Sequence, residues 1–162
     1  MKDGRIIEPE KIHLVRLQTV KGTLNSEAYG VNGPIKEYDY KFDASIGVNA
    51  SEKIIGVKLL VDVKAMTPGQ DTSELVASYT HESVFVIDNL DDFTDPVENQ
   101  PEPKVDRLML ATLVGIAYST VRGIVYTRTQ GPDFKGILLP VIDPKKLIKL
   151  EETPPAIEQN KA

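Results

Sequence analysis

The sequence predicts an α+β domain: a four-stranded antiparallel sheet, then one long helix and a short C-terminal helix. Three observations carry this expectation. Up to about residue 88, apolar and polar side chains alternate with the period of two that marks half-buried strands. An acidic loop containing Pro101 and Pro103 then interrupts the alternation. From Lys104 the period becomes helical, and Leu108 to Tyr118 holds a single polar side chain, Thr112.

The first strand, roughly 12–23, is apolar on both faces through Ile12, Leu14, Val15, Leu17 and Val20. The second, roughly 36–49, is the clearest. Tyr38, Tyr40, Phe42, Ala44, Ile46 and Val48 fall on one face, and Asp39, Lys41, Asp43, Ser45 and Gly47 on the other. The third, about 53–66, sets Ile55, Val57, Leu59, Val61, Val63 and Ala65 against Lys58, Asp62 and Lys64. The fourth, about 73–88, carries Leu75, Ala77, Tyr79, Phe85 and Ile87, with His81 and Ser83 interrupting the apolar row. Asn49 to Glu52 has hairpin length, and Thr67-Pro68-Gly69-Gln70-Asp71 is a turn by composition. The link Asn25 to Ile35 is longer and includes Gly30, Gly33 and Pro34, which suits a crossover better than a tight hairpin. Strands of about 13 residues reach roughly 43 Å, and a helix of about 22 residues, near 33 Å long, covers only one face of such a sheet.

Asp106 stands where a carboxylate suits the helix dipole. Leu110, Val114, Ala117, Val121 and Ile124 form one stripe at helical spacing, with Leu108, Ala111, Tyr118 and Val125 beside it. Gly115, Ala117 and Ser119 are small enough to admit a second backbone. Leu110, Val114, Gly115, Ala117, Tyr118 and Val121 are therefore candidates for a subunit interface, with plain core packing the competing reading. Beyond the helix, Gly131 to Gly136 is a loop, and Ile137 to Ile142 is an apolar run too short for a helix. Lys145 to Leu150 has the pattern of a short amphipathic helix. One domain over residues 1–150 and a flexible tail over 151–162 follow from these boundaries.

Composition narrows the function. The 162 residues include no cysteine, so disulfides, thiolate metal sites and cysteine nucleophiles are excluded. The opening Met-Lys-Asp-Gly-Arg-Ile-Ile-Glu lacks the apolar core of a signal peptide, and Leu108–Tyr118 is too short to span a bilayer, so a cytoplasmic location is expected. Charge is uneven: residues 1–103 carry 10 Lys+Arg against 18 Asp+Glu, and residues 104–150 carry 8 against 3. That split suits head-to-tail subunits or an acidic partner, or else is ordinary solvated surface.

Catalytic chemistry is not evident. His13 and His81 lie in strands without a carboxylate or second histidine at ligand spacing. No phosphate-cradling glycine loop follows a strand. Asp88, Asp91, Asp92 and Asp95 do not fit the calcium-loop spacing and read as turn and solvation residues. Ser78, His81 and Glu82 include triad residue types, but strand neighbours point to opposite faces. Arg107, Arg122, Arg128, Lys135, Lys145 and Lys146 lack the aromatic pattern of a nucleic-acid surface. The expectation is a protein that is not an enzyme and uses no cofactor or metal.

The order of four long strands, a helix, an Arg-Gly pair, an apolar segment with Pro-Val and a short terminal helix resembles the SecB-like protein-export chaperones. Tyr118-Ser119-Thr120-Val121-Arg122-Gly123-Ile124, Leu138-Leu139-Pro140-Val141 and Leu147 carry the resemblance. The spacing from Gly123 to Pro140 is longer than in the export chaperone, and Ile142-Asp143 replaces its Asn-Phe, so the chain is more similar to the divergent SecB-like branch. The resemblance implies an ATP-independent holdase for unfolded polypeptides, with a role in protein export and translocation. It also implies a homodimer or homotetramer with the long helices sandwiched between sheets. Tyr29, Val31, Ile35, Ile137, Leu139, Val141, Leu147 and Ile148 are the implied groove lining, with core or subunit contact the alternative for each. The resemblance also implies an acidic sheet face that docks the translocase motor, with Asp39, Asp43, Asp62 and Glu82 as its candidates here. Two other readings stay open: a dedicated chaperone of one partner, such as a toxin–antitoxin pair, and a structural or adaptor protein that keeps the fold. A small-molecule binding domain is a more distant fourth, argued only by Tyr38, Tyr40 and Phe42.

Overall fold

The computed structural model describes residues 4–25, 37–66, 74–130 and 136–149. The four long strands are β1 (Ile12–Leu24), β2 (Glu37–Asn49), β3 (Ile54–Met66) and β4 (Glu74–Ile87). All pairings are antiparallel, in the order β1-β4-β3-β2, so β1 and β2 are the two edges of the sheet. A 3-10 turn at Leu90–Phe93 leads into a two-residue ladder between β5 (Thr94–Asp95) and β6 (Lys104–Val105), and then α1 (Arg107–Arg128) begins. The turn sequence 67–71 and most of the link between β1 and β2 lie outside the described residues.

The alternation predicted for the sheet sets its inner face. Ile55, Val57, Leu59, Val61, Val63 and Ala65 of β3 and Ala77, Tyr79, Phe85 and Ile87 of β4 are buried beneath α1. Helix positions Met109, Ala111, Leu113, Val114, Ala117, Tyr118, Val121 and Val125 complete this core. The apolar stripe of α1 is therefore broad, because the helix is covered from below by the sheet and from one flank by the C-terminal segment. At 22 residues α1 has the length of a bilayer crossing, longer than the apolar run read from the sequence, but its inward stripe packs on the sheet as a core helix does.

β1 is apolar on both faces because its phase slips twice. The register breaks between Leu14 and Arg16 and again between Thr19 and Lys21, leaving Val15 and Val20 as bulged residues. Leu14, Leu17 and Leu24 stay on the inner face, opposite buried residues of β4, yet they remain exposed because α1 lies over β3 and β4.

The start of α1 is fixed by Asp106, whose Oδ1 accepts the Leu108 N–H at 2.7 Å as an N-cap. Its Oδ2 accepts from Arg5 at 3.0 Å, and Arg5 also meets Asp95 at 2.8 Å. The N-terminal segment is thus strapped over the helix start. Asp106→Ala is expected to destabilise the protein by about 0.5–2 kcal/mol in urea titrations. Asp106→Asn keeps a cap acceptor and is expected to lose less.

The acidic loop serves as a set of local partners. Asp88 meets His13 at 3.0 Å, and Asp91 meets Lys53 at 3.0 Å. His13 thus has a carboxylate beside it, brought by β1–β4 pairing from 75 positions away.

Candidate client-binding surface

After α1 the chain turns back along the helix. Thr129, fully buried, donates its hydroxyl to the Val125 carbonyl at 2.8 Å and accepts the Ile137 N–H at 2.6 Å. Gly136 has φ of +84°, and a Cβ there would stand 2.6 Å from the Tyr126 ring, so glycine alone suits this return.

The extended residues that follow are bonded to the helix by the side chains that carry the family resemblance. Tyr118 Oη donates to the Pro140 carbonyl at 2.7 Å. Arg122 Nε donates to the Leu139 carbonyl at 2.9 Å. Burial pushes the Tyr118 hydroxyl up to about 12, with Arg122 opposing the shift, so the phenol stays a neutral donor. The two halves of the sequence signature, separated by a loop in the chain, are thus one hydrogen-bonded unit.

Further along, Pro144 packs on Gly115, where a Cβ would come within 3.3 Å of the proline ring. The predicted C-terminal helix is a single 3-10 turn, Pro144–Lys146, with Asp143 Oδ1 accepting the Lys145 N–H at 3.0 Å. Arg107 donates to the Lys145 carbonyl at 3.3 Å, and Lys149 forms an ion pair with Asp43 of β2. That pair holds the Asp43 carboxyl below its ordinary range.

This geometry sorts the predicted groove residues. Ile137, Leu139 and Ile148 are buried core residues under the segment, so they do not line an open groove. Leu147 is half-buried, while Val141 is 83% exposed. Tyr29, Val31 and Ile35 lie outside the described residues. The alternation of an extended chain turns Leu138 outward instead, 62% exposed, and Leu108, Ile116 and Tyr126 of α1 are exposed as well. Sequence reasoning did not select these four as groove lining: the run 137–142 is apolar throughout, so only the Thr129 anchor at Ile137 fixes that Leu138 faces out, and which side of α1 stays open depends on what packs against it.

The predicted interface residues are also redistributed. Val114, Ala117, Tyr118 and Val121 are buried in the core of their own chain, Gly115 is small to admit Pro144, and Leu110 and Gly115 are partly open. Among the described residues, a further open surface lies on the opposite flank of α1. There the inner face of β1 meets the helix in a cleft of about 530 Å³ lined by Leu17, Thr19, Thr120, Gly123, Ile124, Thr127 and Arg128.

The four predicted motor-docking carboxylates are opposed one by one. Asp39 lies across from Lys64, Asp62 across from Lys41, and Glu82 across from Lys58, while Asp43 holds Lys149. Asp62 also accepts the Ser78 hydroxyl at 2.6 Å. Cross-strand neighbours of opposite sign neutralise each other, so these residues form no acidic patch. Tyr38, Tyr40 and Phe42 form a ladder with ring centroids 6.4 and 6.2 Å apart, and Phe42 meets Tyr118 edge-on at 5.4 Å. They pack on the core cluster as half-buried residues. Among the described residues no three histidine or acidic side chains converge as a metal site.

A four-stranded antiparallel sheet, one long helix and a C-terminal segment returning along it define a SecB-like α+β fold. Among solved structures, the chain is similar to the Mycobacterium tuberculosis Rv1957 SecB-like chaperone in complex with a ChAD peptide from the Rv1956 HigA1 antitoxin. The TM-score is 0.56 at 11% identity, over 83% of this chain and 93% of that one. At that identity the likeness is one of fold. A protein of unknown function from Streptococcus agalactiae matches with a TM-score of 0.39 at 10% identity, over 80% of this chain and 97% of that one. No family model and no curated protein matches the sequence.

Proposed function

We propose that the protein is an ATP-independent holdase that binds unfolded polypeptide on the surface formed by α1 and residues 136–149. The observation that carries this reading is the exposure of Leu138 and Val141 on the returning segment and of Leu108, Ile116 and Tyr126 along α1. Broad apolar contacts without a fixed polar pattern suit many sequences. The SecB-like fold supports the same class. Its place of action is proposed to be the cytoplasm. The unit is proposed to be a homo-oligomer joined through the free edge of β1 and the adjoining cleft, where a long strand edge and exposed Leu14, Leu17 and Leu24 ask for cover.

The test is suppression of aggregation of a chemically unfolded client without nucleotide. Saturable protection is expected, and the double variant Leu138→Ser, Val141→Ser is expected to need about tenfold more protein, as loss of two apolar contacts implies. A second reading, a chaperone dedicated to one partner, is favoured by the antitoxin peptide bound to the Mycobacterium tuberculosis neighbour. Absence of protection at severalfold excess, with one protein co-purifying, would decide for it.

A further inference from the structure

The charges that accompany these exposed apolar side chains are one-sided. Residues 107–130 and 136–149 carry Arg107, Arg122, Arg128, Lys145, Lys146 and Lys149 against a single carboxylate, Asp143. Asp143 is engaged as the cap of the Lys145 N–H. Asp106, at the rim, is ion-paired with Arg5. Lys149 is tied to Asp43, and Arg128 lines the β1 cleft; of the rest, Arg122 is bonded to the Leu139 carbonyl next to Leu138, Arg107 to the Lys145 carbonyl, and Lys145 and Lys146 stand exposed on the segment that carries Leu138 and Val141. The outer sheet face differs, because its charges cancel strand against strand. Exposed apolar side chains accompanied by charges of one sign, here cations, match a chain in which apolar residues alternate with acids, and repel its basic counterpart.

We propose that the surface of α1 and residues 136–149 selects polypeptide segments whose apolar residues are interspersed with Asp and Glu. This rests on the holdase reading and narrows its client. Apolar contacts supply most of the affinity, while the cations set the preference among clients of equal apolarity. Those cations are solvent-exposed or half-exposed, so the preference is screened by salt and the apolar part is not.

The experiment uses the full chain and three fluorescent peptides with identical Leu, Ile and Phe residues, separated by Glu, by Gln or by Lys. At low salt the Glu peptide is expected to bind about tenfold more tightly than the Lys peptide, with the Gln peptide between them. Raising the salt to about 0.5 M is expected to bring the three affinities together. The exposed triple variant Arg107→Gln, Lys145→Gln, Lys146→Gln is expected to fold normally and lose the preference while still binding the Gln peptide. Equal affinities at low salt, or preference for Lys, would overturn the selection and leave the holdase reading standing. A preference that survives in the triple variant would overturn its location. If no peptide binds, the holdase reading itself fails. If rising protein concentration instead closes this face with a second copy and excludes the Glu peptide, the face is a subunit interface and the proposal is overturned.

Discussion

Leu139→Ala is expected to lower the free energy of unfolding by about 2–5 kcal/mol, while Leu138→Ala, one residue away, changes it by no more than ~0.5 kcal/mol. Leu139 is fully buried, so truncation removes apolar contacts and leaves a cavity under the segment. Its carbonyl is also held by Arg122, and its neighbour's by Tyr118, so the backbone has little freedom to collapse into the space. Leu138 is 62% exposed and makes no comparable contribution. For a chain of this size the first change corresponds to a fall in Tm of roughly 5–20 °C and the second to about 2 °C or less. Client binding should respond in the opposite order: Leu138→Ala weakens it directly, whereas Leu139→Ala acts only through loss of folded protein. Equal melting temperatures for the two variants would show that the alternation along this segment is wrong, and the proposed client surface would fall with it.

This pair also marks how far the sequence could be read. β2 and β3 were legible to within a residue or two because one face is buried and the other solvated, and a strand's side chains record that contrast directly. Asp106 was legible near the helix start because a carboxylate there suits the dipole of the helix that follows, and the structure adds that it caps a backbone N–H two residues away. β1 was legible as a strand but not by face, because two bulges reset the phase within 13 residues. The broad apolar helix was visible, but not which stripe belonged to the protomer. That depends on the return of residues 136–149 along one flank, a tertiary event with no periodic trace. The surroundings of the outer-face carboxylates were hidden for a related reason. Only the register of the neighbouring strand reveals the lysine opposite Asp39, Asp62 and Glu82, and only the return of the C-terminal segment brings Lys149 to Asp43. Contacts made within one element were recoverable, and those made between elements distant in sequence were not.

His81 is expected to make the protein lose stability as pH falls below about 6.5. Its side chain is 1% exposed on the inner face of β4. Nδ1 lies 3.2 Å from the Thr19 hydroxyl of β1, the ring stacks beside Tyr79 at 5.9 Å, and Leu59 of β3 lies across the sheet. Nε2 is buried without a hydrogen-bond partner among the described residues. A bare lone pair costs less there than a bare N–H, so the neutral tautomer with its proton on Nδ1, donated to Thr19, is the one the site favours. Burial first, and then the positive charge of Arg128 at the end of α1, hold the proton affinity of the ring below its ordinary value of 6.5. No carboxylate in this set offsets them. The unfolded chain therefore binds the proton more readily than the folded one. Above about pH 7.5 both states are neutral and the group contributes nothing to the pH dependence. As pH falls through the unfolded value the unfolded state is favoured, by at most about 1.4 kcal/mol per pH unit, until the folded ring is protonated as well. His81→Phe keeps a ring beside Tyr79 and removes the titration. Urea midpoints between pH 8 and pH 5 should fall more steeply for the native sequence than for this variant, and the difference isolates His81 from every other group that titrates. Parallel curves would mean that Nε2 finds a proton acceptor in solution, and that the β1–β4–α1 core is less dry than its packing indicates.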